Sequence, residues 1–261
     1  MKLLTLSLVY VLFTFNLQVL PQSINKENIE NAEKIIGIEF TDAERDSMLS
    51  SLDSQFVNYK HIREKNLNNN VPPAILFNPI PIGFDFPTGQ SQIQYSDYSD
   101  TKLPIDINEI SFYSVGELAE LIKTKQITST ELTKFFLERL KKFDPALHCV
   151  VTLTEERAMN QAKLVDEEIA EGKYKGLLHG IPFGVKDLLA TKDYKTTWGS
   201  VPFKDQMINE DATVIKKLEE AGAVLCAKLT MGELAWGDVW FGGKTRNPWD
   251  TTKGSSGSSA G

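Results

Sequence analysis

Apolar residues recur along this chain first at helical spacing and then in short blocks. Behind the capping box Thr41-Asp42-Ala43-Glu44, the residues Met48, Leu49, Leu52, Phe56 and Tyr59 form one stripe, which predicts a helix to about Lys65. That stripe reads as core or docking surface rather than as a ligand site. Ser114-Val115-Gly116-Glu117 and Thr128-Ser129-Thr130-Glu131 are two further capping boxes, each opening a helix. The second of these helices carries Leu132, Phe135, Phe136 and Leu140 on one face. The blocks then shorten. Residues 149–153 read as a strand, 154–170 as an amphipathic helix closed by Gly172, and 176–187 as a strand entered through a turn. A helix over 211–221, a stop at Gly222 and a strand over 224–227 follow. Strands alternating with helices predict an α/β fold with a mixed or largely parallel sheet, and no internal repeat is visible.

The N-terminal third is patterned differently. Lys2 and an apolar run over residues 3–15, followed by polar and turn-forming residues to Ser23, have the layout of a secretory signal peptide. Asn16 and Gln18 interrupt the run too early for a membrane-spanning helix. Export is therefore expected, to a secreted or periplasmic location, with an uncleaved membrane anchor as the alternative because no small-x-small cleavage site follows. Residues 24–105 are expected to be a helical and proline-rich extension. The prolines between 68 and 98 exclude a single regular element there and predict an extended strap over the main domain.

Composition narrows the function. A chain of 261 residues with 41% hydrophobic residues can bury a sizeable core. Its net charge of -7 argues against a nucleic-acid partner, which would need a basic patch. Cys149 and Cys226 both lie in apolar segments and read as buried free thiols, and no metal-ligand spacing exists. No cofactor is expected. Only His61, His148 and His179 are present, with no G-x-S-x-G elbow, which disfavours a Ser-His-Asp hydrolase.

The candidate chemistry gathers at Lys186. In GLLHGIPFGVKD it closes an apolar strand and precedes Asp187, and burial there would disfavour the ammonium and let the amine act as a base. A solvated lysine at a strand end is the plain alternative. Three blocks decide between them: HGIPFGVKD at 179–187, DATVIKKLEEAGAVLCAKLTMGELA at 211–235, and TRNPWD with a Gly/Ser loop at 245–261. In identity, order and spacing they resemble the amidase signature family, which hydrolyses or transfers amides with a Ser-Ser-Lys triad.

The resemblance implies a mixed sheet flanked by helices, here with its first part at 106–261 and incomplete at the C-terminus. It also implies that a small-molecule amide is the substrate and that Lys186 is the base. Aligning Gly254-Ser255-Ser256-Gly257 on the family's Gly-Ser-Ser-Gly puts the bridging serine, whose peptide bond is cis in the family, at Ser255. Ser256 and Ser258 are the out-of-register alternatives, because the spacer after Asp250 is short and Ser258 stands where glycine is commoner. Ser256 is expected to hydrogen-bond the lysine. Thr230, Met231 and Gly232 match a segment lining the substrate entrance, although Met231 reads equally well as core. The family's nucleophile and oxyanion hole lie about two dozen residues beyond the bridging serine, so these 261 residues alone are expected to be inactive. The alternatives are a truncated non-catalytic relative, and a transamidase component acting on aminoacyl-tRNA. The amide and the oligomeric state are not readable from these residues.

Overall fold

A computed structural model describes residues 23–261, other than residues 76, 90, 91 and 95. The expected signal peptide thus lies, but for Ser23, outside the described residues. The chain divides into two units, Met1–Pro73 and Ala74–Gly261.

In the first unit, α1 (Lys26–Ile36) and α2 (Asp42–Glu64) pair. Reciprocal hydrogen bonds between Asn25 and Asn28 cap α1, and Gly37 ends it in the left-handed region, where glycine carries no Cβ penalty. Thr41 and Glu44 open α2 as their pattern predicts. The buried Glu33 takes two hydrogen bonds from the Arg45 guanidinium, at 2.8 and 2.7 Å, which ties the helices together. A single neighbouring helix cannot cover the α2 stripe. No α2 residue is fully buried, and Tyr59 is exposed.

No helix or strand occurs among the described residues of 68–98, consistent with their prolines. The segment is irregular, with turns closed by Val71 N to Asn68 O and Phe84 N to Pro81 O, and it leaves Phe77 and Ile82 90% and 107% exposed.

In the second unit, Ser114 and Thr128 cap α3 (Val115–Lys123) and α4 (Ser129–Leu147) through the expected boxes. Strand β1 (Val150–Leu153), α5 (Glu155–Ala170), β2 (Pro182–Lys186), α6 (Thr213–Glu220) and β3 (Val224–Leu229) follow. The strands form a sheet in the order β1-β3-β2, antiparallel between β1 and β3 and parallel between β2 and β3. This is the mixed α/β sheet that the alternation predicts. Side chains alternate across β3: Val224 and Cys226 pack with Leu137, Ala158 and Ala162 of α4 and α5, whereas Leu225 packs with Val185 and Ile215 of α6. Helices therefore cover both faces. A further cluster joins Ile110, Leu121, Ile122, Leu132 and Ile181. After β3 come two small hairpins, β4 (Val239–Trp240) with β5 (Gly243–Lys244), and β6 (Arg246–Asn247) with β7 (Asp250–Gly254). Neither cysteine is in a disulfide; Cys226 is buried and Cys149 half-buried.

Candidate active site

Parallel pairing brings the C-terminal ends of β2 and β3 side by side, with Lys186 opposite Leu229. Lys186 is half-buried there, and its Nζ donates to Ser258 Oγ at 3.0 Å. Ser258 is held by the segment that follows it. Ser259 bridges Met231, and the amides of Ala260 and Gly261 donate to Thr230 O at 3.1 and 3.0 Å. Thr230 is fixed in turn, its amide donating to Cys149 O at 2.9 Å and its hydroxyl lying 2.6 Å from Thr245 Oγ1.

The serine that meets the lysine is thus Ser258 and not Ser255. Gly254 is still part of the hairpin ladder, paired with Arg246, and Ser255 leaves it with its amide on Thr245 O at 2.9 Å. The Ser255 hydroxyl is buried without a partner. Left-handed backbone at Ser256 and Gly257, with φ of 70° and 80°, then turns the chain and delivers the next residue to Lys186. Ser256 does not reach the lysine either; it is exposed, and its amide donates to Asp238 Oδ2 at 2.9 Å. Met231 is fully buried, so it offers a ligand no side-chain surface, and it supports the site through its backbone bridge. None of the described peptide bonds is cis, in contrast to the family's bridging serine.

A second lysine, absent from the candidates read from the sequence, lies on the neighbouring strand. Lys228 is fully buried on β3, its ammonium 2.8 Å from Oδ1 of the fully buried Asp187 and donating to Lys195 O and Thr196 Oγ1, each at 2.7 Å. The other carboxylate oxygen, Oδ2, accepts hydrogen bonds from the amide of Thr197, at 2.9 Å, and from its hydroxyl. Burial pulls the Lys228 pKa below the ordinary lysine value, while Asp187 opposes that pull. The pair pins the turn at Thr197–Ser200. There Trp198 and Gly199 take positive φ, and a Cβ on Gly199 would fall 2.6 Å from Met231 O. The sequence does carry a signal for it: a lysine inside the apolar run AVLCAKL needs an anion.

Two other polar groups of this unit are structural in their contacts. The buried His179 accepts the Lys175 amide at Nδ1, 3.2 Å away, so its Nε2 carries the hydrogen facing Glu168 Oε2 at 2.9 Å. Arg157 reaches Asp211 with both terminal nitrogens, at 3.0 and 2.9 Å, joining α5 to the start of the α6 segment. A cavity of about 600 Å³ lies among Thr152, Lys195, Thr197, Met207 and Phe241, and neither Lys186 nor Ser258 lines it.

A lysine amine in contact with a serine hydroxyl, at the end of a helix-covered mixed sheet, defines a candidate Ser-Lys acyl-transfer site. The chain belongs to the amidase family, whose profile matches residues 131–261. It is 40% identical over 166 residues to the putative amidase AmiD of Mycobacterium tuberculosis, covering 62% of this chain and 35% of that protein. It is also 40% identical over 151 residues to the A subunit of the glutamyl-tRNA(Gln) amidotransferase of Coxiella burnetii, covering 57% and 31%. Among solved structures, the native peptide amidase from Stenotrophomonas maltophilia superposes with a TM-score of 0.53 at 30% identity, covering 58% of this chain and 33% of that one. A fatty acid amide hydrolase gives 0.56 at 29% identity, covering 60% and 28%. The chain spans about a third of the length of the curated relatives it matches.

Proposed function

We propose that the protein which carries these residues hydrolyses the C–N bond of a small carboxamide, with Lys186 as base and Ser258 as relay. The observation that carries this reading is the 3.0 Å contact between Lys186 Nζ and Ser258 Oγ. With Lys186 neutral, the same contact lets Ser258 give its proton to the amine while taking one from a second serine. That serine's oxygen then bonds to the amide carbon. When the C–N bond breaks, the proton returns through Ser258 to the leaving nitrogen, and water hydrolyses the acyl ester by the reverse relay.

The family resemblance puts the nucleophile and oxyanion hole beyond the relay serine, outside these 261 residues. The 261 residues on their own are therefore expected to show no turnover. Similarity to the glutamyl-tRNA(Gln) amidotransferase supports a second reading, amide transfer to an aminoacyl-tRNA. The leader-like run at residues 3–15 favours a stand-alone, exported amidase instead. Among the described residues no helix is long and apolar enough to cross a membrane. Amino-terminal sequencing of the protein from its native host tests export: a first residue near position 24 supports it, and an intact Met1 in the cytoplasm refutes it.

The natural-length protein should release ammonia or amine from simple amides without tRNA. Lys186→Ala and Ser258→Ala should each lower kcat/KM by at least about 100-fold, the scale of positioned proton transfer. Ser255→Ala should stay within about fivefold, because its hydroxyl meets no partner. Loss of activity in S255A with retention in S258A would restore the Ser255 register and overturn this one. No amide turnover by the natural-length protein would favour a non-catalytic relative, and turnover only with charged tRNA the transferase.

A further inference from the structure

We propose that Asp238 is a positioning residue which sets the Lys186–Ser258 contact by clamping the loop that carries Ser258. The inference rests on the base-and-relay reading above. Asp238 stands just before β4 and is half-buried. Its carbonyl accepts the Thr245 amide at 3.1 Å, and Thr245 O accepts the Ser255 amide at 2.9 Å. Its side chain completes the connection, with Oδ2 accepting the Ser256 amide at 2.9 Å. A Cβ on Gly254 would fall 1.9 Å from that same oxygen, so the carboxylate packs directly on bare backbone. An alanine there would push the carboxylate aside, an effect of contact and not of backbone, since Gly254 is not among the positive-φ residues.

The loop is thereby fixed on both sides of the serine. Asp238 and Thr245 hold residues 255 and 256, while Met231 and Thr230 hold residues 259 to 261. Only Gly257 and Ser258 lie between. Ser256 needs its clamp most, because it is exposed and adopts φ of 70°, which non-glycine residues enter at a cost. The hydrogen bond from its amide to Asp238 Oδ2 selects that conformation over the extended one. With the bond removed, Ser256 can relax and carry Ser258 Oγ away from Lys186 Nζ, leaving the strands unchanged.

The test uses the natural-length protein and amide hydrolysis, with S258A as reference. Asp238→Ala should lower kcat by about 10- to 100-fold, the effect of displacing a reacting group by about 1 Å, with KM within about threefold. Asp238→Asn keeps an oxygen acceptor for the Ser256 amide and should return kcat to within about fivefold of wild type. Gly254→Ala should lower kcat in the wild-type background by displacing the carboxylate, yet add little in D238A; that coupling is a double-mutant cycle through one contact. Thermal midpoints should stay within about 2 °C. Wild-type kcat in D238A, or equal losses in D238A and D238N, would overturn the clamp. If D238A does not accumulate as folded protein, wild-type kcat in G254A overturns it. An active S258A instead refutes the base-and-relay reading, whatever residue 238 does.

Discussion

Replacing Lys228 by methionine isolates the energetics beneath the site. The substitution keeps the unbranched stem and removes an ammonium that touches Asp187 Oδ1 at 2.8 Å and donates to Lys195 O and Thr196 Oγ1. Asp187, fully buried, is left as a carboxylate with only the Thr197 amide and hydroxyl as partners. Removing one member of a buried pair costs about 3–5 kcal/mol, because the remaining charge keeps its desolvation penalty. Domain stabilities are about 5–15 kcal/mol, so this is a large fraction of the total. Adding Asp187→Asn removes the stranded charge and still offers an oxygen to the Thr197 amide. The double variant then bears mainly the two orphaned oxygens at Lys195 and Thr196, about 1–3 kcal/mol each, a cost that K228M carries as well. The assay is urea unfolding of the natural-length protein at pH 7, followed by far-UV circular dichroism. The second substitution should recover part of what the first loses. A K228M cost below about 1 kcal/mol, or a double variant less stable than K228M, would refute the account of the two residues as a mutually dependent buried pair.

Two further outcomes follow from the second unit. Burial pulls the Asp211 carboxyl upward, but the Arg157 guanidinium and the Lys192 amide hold it below the ordinary value of 3.8. A depressed folded-state pKa adds stability that is present above 3.8 and is lost as pH falls through the folded value. Arg157→Leu should therefore lower the urea midpoint at pH 6 more than at pH 3, and an equal loss at both would contradict the assignment. Burial pushes the Cys226 thiol up to about 12, and burial with Asp144 beside it pushes Cys149 up to about 11. Iodoacetamide at pH 8 should leave both unmodified in the native protein and alkylate both after denaturation, as read by peptide mapping; rapid native labelling at either would contradict this.

The elements legible in the sequence are those whose signals are local. The Ser/Thr-x-x-Glu boxes at Thr41, Ser114 and Thr128 mark three helix starts correctly, because capping is decided within one turn. Helix α1 is not marked in this way, since its box pairs Asn25 with Asn28, a weaker sign in sequence though the same geometry. Strand β3 runs to Leu229, past the expected end at Ala227, because Lys228 finds its counter-ion on the neighbouring strand's end rather than in solvent. Lys186 stands out as a lone charge closing an apolar run. Its serine cannot be chosen locally: GSSGSS offers the same pair of serines twice, three residues apart. What separates them is the ladder between Arg246 and Gly254 and the contact with Asp238, which lies far from the loop in sequence.

The central place of β3 has a kinetic consequence. The contact between Lys186 and Ser258 closes a separation of 72 residues, and the anchors of the Ser258 segment, Thr230 and Met231, directly follow β3. Those anchors are located only when β3 has registered against β1 on one side and β2 on the other. Long-range strand pairings must meet their loop-closure entropy before they are rewarded, and so they form slowly. A spectroscopic probe beside Ser258 would consequently lag behind helix formation and report completion of the sheet, making the Lys186–Ser258 contact the last part of this unit to exist during folding.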